Sequence, residues 1–470
     1  MNMSFFQELL GSIAERGRAL IERSSNRQGV DGRTAAVSGN SVTVAEAPET
    51  LESLCRDLLS GRGEASGVAL ARQVLDLYVG APVPARLDFF RLLARDFGPD
   101  QQRLRAAWSD YDKAPTPQIL QRLLRAVEPP RQELFRRLNL APGGTSALVA
   151  MRQDLLEHGG NDAELASVDD DLVHLLYSWF NRGFLMMQRI TWSSPADILE
   201  RIIRYEAVHS IRDWDDLRRR VQPPDRRCYA FFHPSLIDEP LIFVEVALTK
   251  EIPSSIQEVL ADDRNVLAAE QATTAVFYSI SNCQPGLRGI SFGNFLIKQV
   301  VEDLSHDLPS LKTFVTLSPA PGFGRWLKRV AEDPAEFGLE GLDTAPLALL
   351  ENPDWRQDPA VVEQLRPLVM GLAAAYYLRA KAKNGQPLDP VARFHLGNGA
   401  RLERLNWLGD TSVKGVREAA GLMVNYLYDL DTIEANHEAY ANQGMVAASP
   451  AIQRQLREVT SNAAKEARHV

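Results

Sequence analysis

Cysteine is scarce: Cys55, Cys228 and Cys283 are the only three in 470 residues. They form no CxxC pair and no even-numbered disulfide framework, so a reducing compartment, the cytoplasm, is the expectation. Long apolar runs are missing, and none approaches the ~18 residues that span a bilayer. Basic charge is in deficit, with 52 Lys and Arg against 61 Asp and Glu and a formal charge of −9. That argues against a general nucleic-acid binder. The eight histidines make no HExxH or HxH pattern, so no metal site is expected. What is present, 45% hydrophobic and 24% charged residues, fits a globular chain of two or three domains at roughly 150 residues each.

Residues 1–24 carry Arg16, Arg18 and Arg23 on a helical pattern. Glu8, Glu15 and Glu22 count against a transit peptide, so an amphipathic helix is expected there. Residues 24–48, rich in Ser, Gly, Asn and Thr, read as a linker. Leu51, Leu54, Cys55, Leu58 and Leu59 then share one helical face. Similar stripes run through 87–97, 101–111, 117–127 and 131–138. Thr145 or Ser146 is a candidate cap for the next helix, and the stripe of Leu172, Leu175, Leu176 and Phe180 continues to about 190. Residues 1–190 therefore read as an all-helical bundle, and residues 191–470 as a second, mixed domain.

Strand grammar begins in the second part. Residues 228–232, 241–248, 273–281 and 311–317 are apolar and rich in aromatic or β-branched residues. Between the last two lie a glycine-containing loop, 284–293, and an amphipathic helix, 294–304. That order predicts two parallel strands with a right-handed crossover. Residues 401–405 form one more short strand candidate, before a terminal helical segment.

Three places offer chemistry. The 284–293 loop opens a helix, where free N–H groups and glycines at 286, 289 and 293 suit a phosphate. Its spacing is neither a dinucleotide fingerprint nor a P-loop, and an ordinary βα turn explains the glycines as well. Arg218, Arg219, Arg220, Arg226 and Arg227 form the densest basic run, although Asp213, Asp215 and Asp216 can neutralise it. Ser318 closes a strand ahead of Pro319, and His395 sits in a mixed Phe-His-Leu-Gly-Asn-Gly loop.

Several longer segments share one order: Phe-Phe-His-Pro-Ser-Leu-Ile from Phe231, Phe-Tyr-Ser-Ile-Ser from Phe277, Gly289 to Lys298, and Leu-Ser-Pro-Ala-Pro-Gly-Phe from Leu317. Val-Ala-Arg-Phe-His-Leu-Gly-Asn-Gly-Ala from Val391 and Gly-Leu-Met-Val-Asn-Tyr from Gly421 complete the set. Together they resemble the malonyl-CoA decarboxylase family, most densely over about 190–430. The resemblance implies an α+β chain: a helical bundle followed by an acyl-CoA N-acetyltransferase-like catalytic domain. It also implies a homo-oligomer, often a tetramer, acting on malonyl-CoA to give acetyl-CoA without metal or organic cofactor. By resemblance, Ser318 and His395 are the catalytic pair. Arg288, Gly289, Ile290, Ser291, Phe292, Gly293, Asn294 and Ile297 line the CoA site. Ser279 and Tyr428 are substrate-proximal candidates. Ser291 stands where the family's loop has glycine or an acidic residue. Two other readings are weighed: an acyltransferase of the same fold, and a non-catalytic sensor of CoA thioesters.

Overall fold

Thr50 opens the first described helix, Leu51–Leu59, through a capping box: its hydroxyl accepts from Ser53 N–H and Ser53 accepts back from Thr50 N–H. The computed structural model describes residues 50–61, 63–160, 162–290 and 296–466. The expected N-terminal helix and linker, and loop residues Ser291, Phe292, Gly293 and Asn294, lie outside the described residues. Two units divide the chain. One holds the described residues up to Leu185 together with His233–Ile237 and 284–290; the other holds Met186–Phe232, Asp238–Cys283 and 296–466.

The first unit is helical, continuing through Glu64–Gly80, Val83–Asp96, Gln101–Lys113, Pro117–Val127, Pro130–Asn139, Gly144–His158 and Ala163–Trp179. The apolar stripes do the packing: Leu54, Leu75, Phe90, Leu93, Phe135, Leu148, Leu172 and Leu176 are all buried. The helix expected to start at Thr145 or Ser146 starts earlier, after Gly143, whose φ of 75° is left-handed. Thr145 instead bonds the Asn139 side chain at 2.7 Å. Glycine carries this turn because it adopts positive φ without a Cβ penalty.

The second unit is built on one eight-stranded mixed sheet. Its strands are β1 (Met186–Ile190), β2 (Arg226–Phe232), β3 (Pro240–Thr249), β4 (Thr274–Asn282), β5 (Thr313–Thr316), β6 (Ser318–Pro319), β7 (Arg401–Asn406) and β8 (Met423–Leu427). The spatial order is β1-β2-β3-β4-β5-β8-β6, with β7 paired to β8. Residues 186–190, expected to be helical, thus form an antiparallel strand beside β2. The segment holding β8 was likewise expected to be helical. Met423 to Tyr426 are fully covered by β7 and the ends of β5 and β6, and that burial decides for strand.

Among the described strands, only β4 and β5 pair in parallel, joined across by the helix Leu296–Asp307. Their pairing covers Thr274–Phe277 against Thr313–Thr316 and ends with Leu317 N–H donating to Phe277 C=O at 2.9 Å. β4 runs on to Asn282, while Ser318 and Pro319 turn to pair with β8. Proline at 319 offers no N–H to continue the ladder. The two parallel strands therefore part after Phe277. The three cysteine thiols are all buried and unbridged.

Candidate active site

Ser318 is delivered by the turn from β5 to β6. His395 arrives on a short helix, Pro390–Gly397, rather than in the expected loop. Asp389 caps that helix by accepting from Ala392 N–H at 2.8 Å, and burial pushes its carboxyl up to about 7. Tyr428 follows directly after β8, its N–H bonded to Phe314 C=O at 2.8 Å. These three elements bring together side chains 77 and 33 residues apart in sequence.

The geometry is tight. Ser318 Oγ lies 3.1 Å from His395 Nε2, and His395 Nδ1 lies 2.7 Å from the Tyr428 hydroxyl. Ser318 also donates to Thr316 Oγ1 at 2.9 Å. The Tyr426 ring stacks on the imidazole at 4.6 Å and 25°, and Phe394 meets it edge-on at 5.1 Å. Burial pushes the His395 imidazole down to about 3, so the ring is neutral at ordinary pH. Burial likewise pushes the Tyr428 hydroxyl up, so it keeps its proton. A neutral, oriented Ser–His–Tyr chain in an apolar wall can pass protons along hydrogen bonds. Phe323 packs on Trp326 and Tyr376.

Ser279 is elsewhere. It donates to Glu206 Oε2 at 2.7 Å, beside Ser281, which does the same at 3.1 Å. A β-bulge explains the separation. Phe277 pairs with Val246 and Ser279 with the next residue back, Glu245. Cross-strand partners share a face, so the bulge at Tyr278 sends Phe277 and Ser279 to opposite faces. Phe277 meets Tyr428 edge-on, at 6.2 Å between ring centroids.

The described part of the glycine loop is held within the helical unit. Arg152, on the helix Gly144–His158, donates to Gly286 C=O at 2.7 Å and Arg288 C=O at 2.8 Å, and pairs with Asp169. A Cβ on Gly286 would stand 1.9 Å from Val149 O, so only glycine lets the loop lie on this helix. Gly289 has φ 83°. Arg288 is exposed and lines a cavity of about 360 Å³ with Leu155, Leu156, Gly159, Gly160 and Asp162. Ile297 is buried in the crossover helix. The basic run does not form a patch. Arg220 pairs with Glu245 and Asp216, and Arg226 and Arg227 are buried and donate to backbone carbonyls. Among the described residues, no group of three or more His, Cys, Asp or Glu side chains could hold a metal ion, and no helix is long and apolar enough to cross a membrane.

Residues 183–466 match the family model described as malonyl-CoA decarboxylase C-terminal domain, and residues 97–180 match that of the N-terminal domain. The chain belongs to the malonyl-CoA decarboxylase family. The malonyl-CoA decarboxylase of Rhodopseudomonas palustris, a solved structure, is 58% identical with a TM-score of 0.83, over 86% of this chain and 98% of that one. The Agrobacterium vitis malonyl-CoA decarboxylase is 55% identical, also with a TM-score of 0.83, over 86% and 99%. A goose (Anser anser anser) relative named as mitochondrial malonyl-CoA decarboxylase is 36% identical over 94% of this chain and 90% of its own. Sequence reasoning missed Thr316 and Tyr426 beside the family's expected pair, and Arg152, which holds the 284–290 loop. A threonine or tyrosine in an apolar strand reads as β-propensity, and an arginine on a helix reads as solvated surface.

Proposed function

We propose that the chain converts malonyl-CoA to acetyl-CoA and carbon dioxide, with Ser318 and His395 as the catalytic pair and Tyr428 behind them. The observation that carries this reading is the 3.1 Å contact of Ser318 Oγ with His395 Nε2, buried and extended to Tyr428, in a chain of this family. The thioester carbonyl is the electron sink, so no metal or organic cofactor is needed. The C–C bond breaks, its electron pair moves into the thioester enolate, and carbon dioxide leaves. Donors aimed at the enolate oxygen lower this barrier, each by about 2.7–4 kcal/mol. Backbone amides of β4 past Phe277, where β5 no longer pairs, are suited to that task. The enolate carbon then takes a proton from Ser318. Ser318 is refilled from His395 Nε2, whose Nδ1 takes the Tyr428 proton, and solvent restores Tyr428. One proton is consumed for each carbon dioxide released.

We assign Arg288, Gly289, Ile290 and Ile297, with Ser291, Phe292, Gly293 and Asn294, to the CoA-binding segment. The exposed Arg288 at a cavity edge and the glycine-dependent loop support this. Ser279 is assigned to the strand that carries the acyl arm. The chain is further read as a homo-oligomer, with the tetramer as the assembly to test; exposed Trp108, Leu124 and Val127 on the helices Gln101–Lys113 and Pro117–Val127 support self-association, and light scattering tests it. The three unbridged thiols support a reducing compartment. We assign the cytoplasm, and cell fractionation decides, since the goose relative is named as mitochondrial. The test of the reaction is purified protein with malonyl-CoA and no acceptor. Release of carbon dioxide and acetyl-CoA is expected; tight binding without turnover, or turnover only with an added amine, overturns the reading.

A further inference from the structure

The reaction above does not use the Thr316 hydroxyl, which contacts Ser318 directly. It is the last residue of β5 and is wholly buried. Its Oγ1 accepts from Ser318 Oγ at 2.9 Å and from Tyr426 N–H at 3.1 Å, which fills both lone pairs. The second bond ties β5 to β8 where their ladder has only the Val315–Leu427 pair. The first has a chemical consequence. With its proton on Thr316, Ser318 turns a lone pair to His395 Nε2, so that nitrogen must carry the ring proton. The other side of the ring agrees. The Tyr428 hydroxyl, 2.7 Å from His395 Nδ1, is able to donate to it or accept from it, and donation matches the proton on Nε2.

We infer that Thr316 is a positioning residue that selects the Nε2–H tautomer of His395 by drawing the Ser318 proton away from the ring. The inference rests on the Ser318–His395 pair proposed above. The tautomer decides what the pair can do. With the proton on Nε2, protons run from Tyr428 through His395 to Ser318 and out to a carbanion. With the proton on Nδ1, Nε2 becomes a base that pulls the Ser318 proton inward. That arrangement suits serine attack on a carbonyl rather than quenching of an enolate. Thr316 thereby sets the serine as an acid.

The test is 15N NMR of histidine-labelled enzyme, with the His395 signals identified by their loss in His395→Asn, alongside kinetics of Thr316→Val and Thr316→Ser. In the wild type the proton is expected on Nε2. Thr316→Val should move it toward Nδ1 and lower kcat by about 10- to 100-fold, with KM within about twofold. Thr316→Ser, which keeps the oxygen, should restore both. In a Ser318→Ala background, Thr316→Val should cost no further activity, because it acts through Ser318. A wild-type ring protonated on Nδ1 overturns the inference. So does a Thr316→Val enzyme with full kcat, or one whose loss multiplies with that of Ser318→Ala. Wild-type turnover with the proton on Nδ1 would sink the inference and leave the proposed reaction standing.

Discussion

Tyr428→Phe removes one oxygen and keeps a ring of the same shape against Phe277. The lost atom is the hydroxyl 2.7 Å from His395 Nδ1. Both groups are buried, and the phenyl ring leaves Nδ1 without its partner. Leaving a buried polar group unsatisfied costs about 1–3 kcal/mol. If the whole cost falls on the proton relay, kcat drops by about 5- to 160-fold, at 1.36 kcal/mol for each tenfold. KM for malonyl-CoA should stay within about twofold, since the oxygen that is lost bonds the imidazole. Initial rates of acetyl-CoA formation over a range of malonyl-CoA concentrations separate the two constants. A thermal melt beside them checks that the variant is folded. Full kcat, or a loss confined to KM, would refute the relay through Tyr428.

Ser318→Ala and His395→Asn should each lower kcat by about 10² or more while calorimetry shows CoA affinity nearly unchanged; near-full activity in either removes the pair. Arg288→Glu should weaken binding of CoA thioesters with little effect on the rate at saturation, and unchanged affinity would take Arg288 out of the CoA site. The pH behaviour of His395 follows from its burial. Its folded pKa of about 3 lies below the ordinary value of 6.5, so the unfolded chain takes up a proton that the folded one refuses. That costs stability as pH falls from about 6.5 toward 3, by up to ~1.4 kcal/mol per unit. Its NMR signals should stay flat from about pH 5 to 8, and a titration near 6.5 would contradict the buried, neutral ring.

Much of the architecture was readable because burial leaves a period. The stripe Leu51, Leu54, Cys55, Leu58 became a capped helix, and the strand–loop–helix–strand order around 273–317 became the one parallel pair. The misses have local causes. Met186–Ile190 is a half-exposed edge strand with no alternation to betray it. β8 is interrupted by Asn425, whose side chain bonds Thr316 C=O and Asn406. His395 looked like a loop residue because Gly397, Asn398 and Gly399 follow it, yet they only end its helix. Ser318 and His395 were legible through family resemblance alone. Their distance in sequence hides their contact, and no spacing rule reports it. The bulge that parts Ser279 from Phe277 is invisible for the same reason: it is a property of register with β3.

The buried thiols turn the enzyme into a reporter of its own opening. Burial pushes Cys55 up to about 12 and raises Cys228 and Cys283 well above their ordinary values, so alkylating reagents find almost no thiolate to attack while the chain is folded. Cys55 lies in the helical unit and the other two lie in the sheet unit. Mass spectrometry of iodoacetamide adducts during mild denaturation therefore reads, peptide by peptide, which half loosens first.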